Sequence, residues 1–205
     1  MEHTTTLPLP PAGSTPDDPD RRRWLAATGA ASAVAATATA IPLVSSFAPS
    51  ERARAMGAAV EVDISDLPPG GMKTVEWRGK PVWILRRTPE MLAALKGHEG
   101  QLADPESAKD QQPEAARNAT RSLRPEVFVA IGICTHLGCS PTVLPAGTPN
   151  PSVGSDWPGG FFCPCHGSTF DLAGRVFRNK PAPTNLEIPP HAYLADQRLR
   201  IGDAS

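Results

Sequence analysis

Two short boxes, Cys134-Thr-His136-Leu-Gly-Cys139 and Cys163-Pro-Cys165-His166-Gly-Ser168, hold all four cysteines of this 205-residue chain and two of its five histidines. Thiolate sulfur and imidazole nitrogen are strong ligands for transition metals. Each box mixes the two types: Cys134 and His136 stand either side of one residue, Cys163 and His166 either side of two. A structural zinc site also takes two cysteines and two histidines, but it usually pairs cysteine with cysteine and histidine with histidine, and it gives no reason for Cys139 and Cys165. A framework of disulfides alone would leave His136 and His166 unexplained. Cys139 and Cys165, one in each box, could bridge the two loops as a disulfide, which requires an oxidising compartment.

The set Cys-x-His…Cys-x-x-His resembles the ligand list of Rieske iron–sulfur proteins, where two histidines replace two cysteines on one iron of a [2Fe–2S] cluster. The resemblance implies Cys134 and Cys163 as ligands of one iron, and His136 and His166 as ligands of the other. Two thiolates leave the oxidised site neutral where four would leave it doubly negative, so an electron is more easily added and the potential is high. The outer imidazole nitrogens can couple electron uptake to proton uptake. The pair Cys139 and Cys165 is similar to the disulfide of the quinol-oxidising branch of the family. Such a bridge is worth about 3 kcal/mol by chain entropy.

The same resemblance assigns neighbours. Ser168 stands where high-potential members carry a hydroxyl that donates to a cluster sulfur, which favours the more negative reduced state. Phe170 stands where those members often carry a tyrosine, so one donor is missing and a lower potential is expected. Leu137 is expected to shield the cluster. Pro181-Ala-Pro183 resembles a rigid lid over the cluster, with Lys180 where a glycine often precedes it. Gly138 and Gly167 suit tight bends, and Pro164 stiffens the second loop. His191, after Pro189-Pro190, reads as a solvated turn residue.

The remaining chain must anchor and position these boxes. Residues 24–50 carry no charged side chain, and half of the stretch Trp24–Ile41 is alanine, long enough for one membrane-spanning helix. Arg21-Arg22-Arg23-Trp24-Leu25 ahead of it fits a twin-arginine export signal. An uncleaved anchor is the favoured reading over a signal cleaved near Ala36-Thr-Ala38 or Ala38-Thr-Ala40. The expected organisation is a disordered cytoplasmic tail over residues 1–20, a signal and anchor over 21–44, a hinge linker over 45–59 and a cluster-binding domain over 60–205, with loops at 134–139 and 163–168.

Twenty basic and twenty-one acidic residues leave the chain near neutrality, with no basic stripe that would point to nucleic acid. Roughly 145 residues beyond the linker suffice for one domain. Alternating runs at 60–64, 73–77 and 81–86, the last two joined by Gly79-Lys80, predict strands. Further strands are expected at 126–133, 186–188, 192–194 and 198–201. Thr88 with Pro89 predicts a helix start. Residues 97–123 read as a polar excursion, and Pro141 to Gly160 as a surface insertion. The fold class is therefore mainly β, stacked antiparallel sheets behind a single N-terminal transmembrane helix.

Taken whole, the chain is similar to Rieske subunits of bacterial cytochrome bc1 complexes. That resemblance implies ubiquinol as electron donor at cytochrome b, cytochrome c1 as acceptor, a dimeric complex, and a single-pass anchor in the inner membrane with the cluster domain on the periplasmic side. It places the quinol contact at His166. The alternative is a periplasmic Rieske carrier, such as the small subunit of an arsenite oxidase.

Overall fold

A computed structural model describes residues 18–48, 50 and 57–202. The chain divides into two units, Met1–Glu51 and Arg52–Ser205.

In the first unit, α1 (Pro19–Ser45) begins where Asp18 accepts from the Asp20 backbone N–H at 3.0 Å and Pro19 presets the first turn. Its alanines favour helix, and Thr28, Thr37 and Thr39 turn their hydroxyls onto the carbonyls of Trp24, Ala33 and Ala35, each at 2.8 Å. Those polar groups are thus satisfied within the helix, as lipid requires. No residue of α1 is buried, and the helix is long and apolar enough to cross a membrane. It starts at Pro19, ahead of the three arginines, because the cap lies at Asp18. Residues 1–17 of the expected tail, and residues 49 and 51–56 of the expected hinge, lie outside the described residues.

Among the described residues, the second unit holds nine strands: β1 (Val60–Asp63), β2 (Met72–Trp77), β3 (Lys80–Arg86), β4 (Val127–Ile131), β5 (Thr142–Leu144), β6 (Gly160–Cys163), β7 (Ser168–Phe170), β8 (His191–Ala195) and β9 (Arg198–Ile201). They form three antiparallel sheets ordered β1-β9-β8, β2-β3-β4 and β5-β6-β7. A short helix, α2 (Pro89–Ala93), is capped by the Thr88 hydroxyl, which accepts from Met91 N at 3.2 Å.

The middle sheet accounts for two apolar runs: β4, and β3, where the alternation expected over 81–86 gives way to four consecutive buried residues, Val82 to Leu85. Successive side chains of a strand point to opposite faces. Val82 and Ile84 of β3, with Val127, Val129 and Ile131 of β4, join Val62, Leu199 and Ile201 of the β1-β9-β8 sheet in one core. Trp83 and Leu85, with Phe128 and Ala130, join Phe161 and Phe170 of the β5-β6-β7 sheet in the other. A sheet covered on both faces needs apolar residues at every position, and β4 is buried throughout.

Further expectations are corrected. The β2–β3 turn is Arg78-Gly79, both at positive φ, with Trp77 opposite Lys80; Lys80 is a strand residue. Residues 186–188 are not a strand, because their groups bond three separate partners: Leu186 N donates to Gly174 O, Glu187 O accepts from Ile131 N, and Ile188 N donates to Gln111 O, each at 2.8 Å. His191 is buried rather than solvated; its Nδ1 lies 2.8 Å from Pro189 O, and burial lowers its pKa. The 141–160 insertion is also more than surface. It contributes β5 and the buried Trp157, which packs with Leu102 and Phe177 and donates from Nε1 to Leu144 O at 2.9 Å.

Candidate metal centre

The β5-β6-β7 sheet carries both boxes to one end. The first loop runs from β4 into β5, and the second is the turn of the β6–β7 hairpin, closed by Cys163 opposite Ser168. Thr142, at the start of β5, faces Phe162, near the end of β6, so both loops leave the same edge. They share one backbone turn as well. Gly138 N donates to Cys134 O at 3.0 Å and Gly167 N to Cys163 O at 2.9 Å. Both glycines adopt left-handed φ values, +83° and +76°, with open space where a Cβ would stand, so backbone handedness and not crowding requires them. Gly132, entering the first loop, answers to crowding: a Cβ there would lie 2.3 Å from the Trp83 ring, which stacks on Phe161 at 5.2 Å.

A disulfide joins Cys139 and Cys165 across the loops, with Cα atoms 6.7 Å apart. Their sulfurs and that of Cys163 lie within 4.8 Å of one another. Being bonded together, Cys139 and Cys165 have no thiolate to offer. The free thiols are Cys134 and Cys163, both buried. Burial pushes the Cys134 thiol pKa up, and the Ser168 hydroxyl beside it pulls the other way. The rings of His136 and His166 meet edge to face with centroids 4.7 Å apart. His166 is exposed, whereas His136 Nδ1 is buried with no hydrogen-bond partner among the described residues. A buried ring nitrogen without a partner is costly, and a bound metal removes that cost. Two buried thiols, one orphaned imidazole nitrogen and a second imidazole against it fit the mixed donor set of a [2Fe–2S] cluster.

Residues 58–190 match the family described as the Rieske [2Fe-2S] domain, and residues 11–50 match the "Ubiquitinol-cytochrome C reductase Fe-S subunit TAT signal". A protein of Allochromatium vinosum named ubiquinol-cytochrome c reductase iron-sulfur subunit is 58% identical over 183 residues, covering 89% of this chain and 88% of that one. This chain belongs to the Rieske iron–sulfur subunit family of ubiquinol–cytochrome c reductases. A Bradyrhizobium diazoefficiens protein of the same name is 40% identical over 190 residues, 92% of this chain and 98% of its own. A chain of a solved hyperthermophilic respiratory complex III has a TM-score of 0.44 at 29% identity, covering 84% of this chain and 96% of that one.

In this Rieske chain the segment Pro181–Thr184 is tied to both loops. Ala182 N donates to Ser168 Oγ at 3.0 Å, and Thr135 Oγ1 donates to Thr184 O at 2.7 Å. Ser168 is fully buried, and its Oγ accepts from Ala182 N. Phe170 is fully buried opposite Phe161, with no polar atom to offer. Leu137 is 71% exposed, so it stands out from the first loop and is not packed against the domain.

Sequence reasoning passed over the polar group beneath the second loop. Asp171 is buried and accepts from Ala173 N at 2.9 Å, Arg175 N at 2.8 Å and Arg175 Nε at 2.7 Å, with His98 Nε2 3.3 Å away. The Asp-x-x-x-Arg spacing was the only local signal for this group; nothing marked His98. Burial alone would raise the Asp171 pKa, but His98 and Arg175 overcome it and hold the carboxyl below its usual value. A carboxylate depressed in the fold stabilises the fold fully above its unfolded pKa, near 4, and that contribution is lost as pH falls through the folded value. Acid unfolding followed by circular dichroism should therefore steepen below about pH 4. Asp171→Asn should flatten that dependence and cost about 2–3 kcal/mol at neutral pH; an unchanged acid profile would contradict the assignment.

Proposed function

We propose that this chain is the electron-transferring subunit of a quinol–cytochrome c oxidoreductase, working with cytochrome b and cytochrome c1. The observation that carries the reading is that two loops joined by a disulfide carry two free buried thiols and two imidazoles whose rings meet edge to face. Cys134 and Cys163 would hold one iron, His136 and His166 the other. When bound, the cluster supplies a one-electron acceptor of high potential.

The residues divide the remaining work. Exposed His166 meets ubiquinol in the cytochrome b pocket and takes a proton at its outer ring nitrogen as the quinol is oxidised. Half-buried His136 is shielded against its ring. The linker over residues 45–59 serves as the hinge on which the domain over 60–205 carries the electron to cytochrome c1, while the second electron goes to cytochrome b. Helix α1 remains uncleaved as the anchor in the bacterial inner membrane. Its arginines lie on the cytoplasmic side, the cluster domain faces the periplasm, and the complex is a dimer.

Purification of the native complex tests this reading. Haem b and haem c should co-purify with the chain, together with the reduced-state EPR signal of the cluster; a haem-free brown protein would point to a periplasmic carrier instead. Sequencing the mature N-terminus checks the anchor. A smaller effect tests the missing donor: Phe170→Tyr should raise the cluster potential, because a hydroxyl reaching a ligand sulfur favours the reduced state. An unchanged redox titration would rule that role out.

A further inference from the structure

The polar excursion at 97–123 carries no ligand, yet it runs along the outer side of the lid. Lys109 Nζ donates to Pro183 O at 3.0 Å, and Gln111 Nε2 donates to Thr184 Oγ1 at 2.9 Å. Asn185 Nδ2, next in the chain, donates to Asp104 O at 2.9 Å, and Ile188 N to Gln111 O at 2.8 Å. Gln111 holds its bond while its Oε1 is buried without a partner. Burying an amide oxygen unsatisfied is unfavourable, so this side chain is held for where it puts its donor.

We infer that Gln111 and Lys109 are positioning residues that set the cluster potential by bracing the lid from outside. The route is short. Thr184, gripped by Gln111, also gives its carbonyl to Thr135, the residue before His136. Two residues earlier, Ala182 N occupies the lone pair of Ser168 and thereby fixes the direction in which the Ser168 proton points. A lid released on its outer side can lift, freeing the Ser168 rotor and admitting water beside the sulfurs. Both changes weaken a donor that favours the reduced cluster. The inference rests on Cys134, His136, Cys163 and His166 holding that cluster.

The test is a double-mutant cycle in the whole complex, reading midpoint potential and the reduced-state EPR spectrum. Gln111→Leu removes the brace without changing charge and should lower the potential with iron content intact. Ser168→Ala should lower it too, and the double variant should fall no lower than Ser168→Ala alone. Thr184→Val removes the same bond from the other side and should match Gln111→Leu. Lys109→Met should lower the potential, and Lys109→Arg, which keeps a donor in reach of Pro183, should restore it. A wild-type potential in Gln111→Leu and Thr184→Val, or shifts that add fully with Ser168→Ala, would overturn the brace. A parent complex without a Rieske EPR signal would instead overturn the cluster assignment.

Discussion

A variant with serine at both Cys139 and Cys165 should lose about 3–4 kcal/mol of stability and release its cluster under conditions where the parent retains it. The bridge spans 26 residues, and closing a loop of that size sets the entropic magnitude. The structural consequence is larger than the number implies. At the tip, each loop has its own turn bonds, Cys134 N to Cys139 O at 2.7 Å and Gly138 N to Cys134 O at 3.0 Å in the first and Gly167 N to Cys163 O at 2.9 Å in the second, and one bond to the segment 181–184. The nearest strand pairing between them, Thr142 with Phe162, lies at the base. Without the bridge, the loops can spread from that base, carrying Cys134 and His136 away from Cys163 and His166. Both cysteines must be replaced together, since a lone thiol within 4.8 Å of Cys163 Sγ would compete for iron. Urea unfolding should show a midpoint lower by roughly 1–3 M, and iron per chain should fall. Retention of both values would refute the role.

Arg121→Ala should be more damaging, on the order of 5 kcal/mol. The side chain is fully buried. It donates to Ala173 O at 3.1 Å, Gly174 O at 3.3 Å, Leu186 O at 2.8 Å and Gln112 Oε1 at 2.9 Å. Those acceptors are carbonyl oxygens, and burial pulls the guanidinium pKa down to about 10, so it stays charged at neutral pH. One guanidinium fork thus gathers the turn after β7, the segment following the lid and the polar excursion. Truncation strands several buried acceptors and opens a cavity. Arg121→Lys should recover only part of the loss, because an ammonium cannot span the fork. Thermal unfolding of the purified domain measures both; a wild-type midpoint for Arg121→Ala would contradict this account.

Arg87 repeats the pattern, reaching Leu172 O beside the Ala173 O that Arg121 holds. It is buried, bonds Pro125 O, Thr120 O and Leu172 O at 2.8, 2.9 and 3.1 Å, and also donates to Ser122 Oγ. Such residues mark the limit of sequence reading. Nothing near Arg87, Arg121 or His98 in the chain distinguishes them from solvated surface, because their partners lie up to 85 residues away. His191 was misjudged for the same reason: two prolines spell a turn, but only packing shows which way the ring faces. The segment 186–188 looked like a strand by alternation, yet its hydrogen bonds are shared among three elements and no ladder forms.

What the sequence alone determined is the chemistry and the alternation. Two thiol–imidazole boxes, the spare cysteine pair and the arginine-led apolar stretch are legible because ligand softness, turn handedness and hydropathy belong to residue types at fixed spacings. The β2–β3 hairpin is legible because a two-residue period and a short turn are local. Only the tertiary structure decided that Ala182 and Thr184 bond Ser168 and Thr135, and that the excursion reaches the same segment through Lys109 and Gln111. Those facts depend on which distant carbonyl each buried donor finds, and a buried donor's partner is fixed by packing rather than by neighbours in the chain.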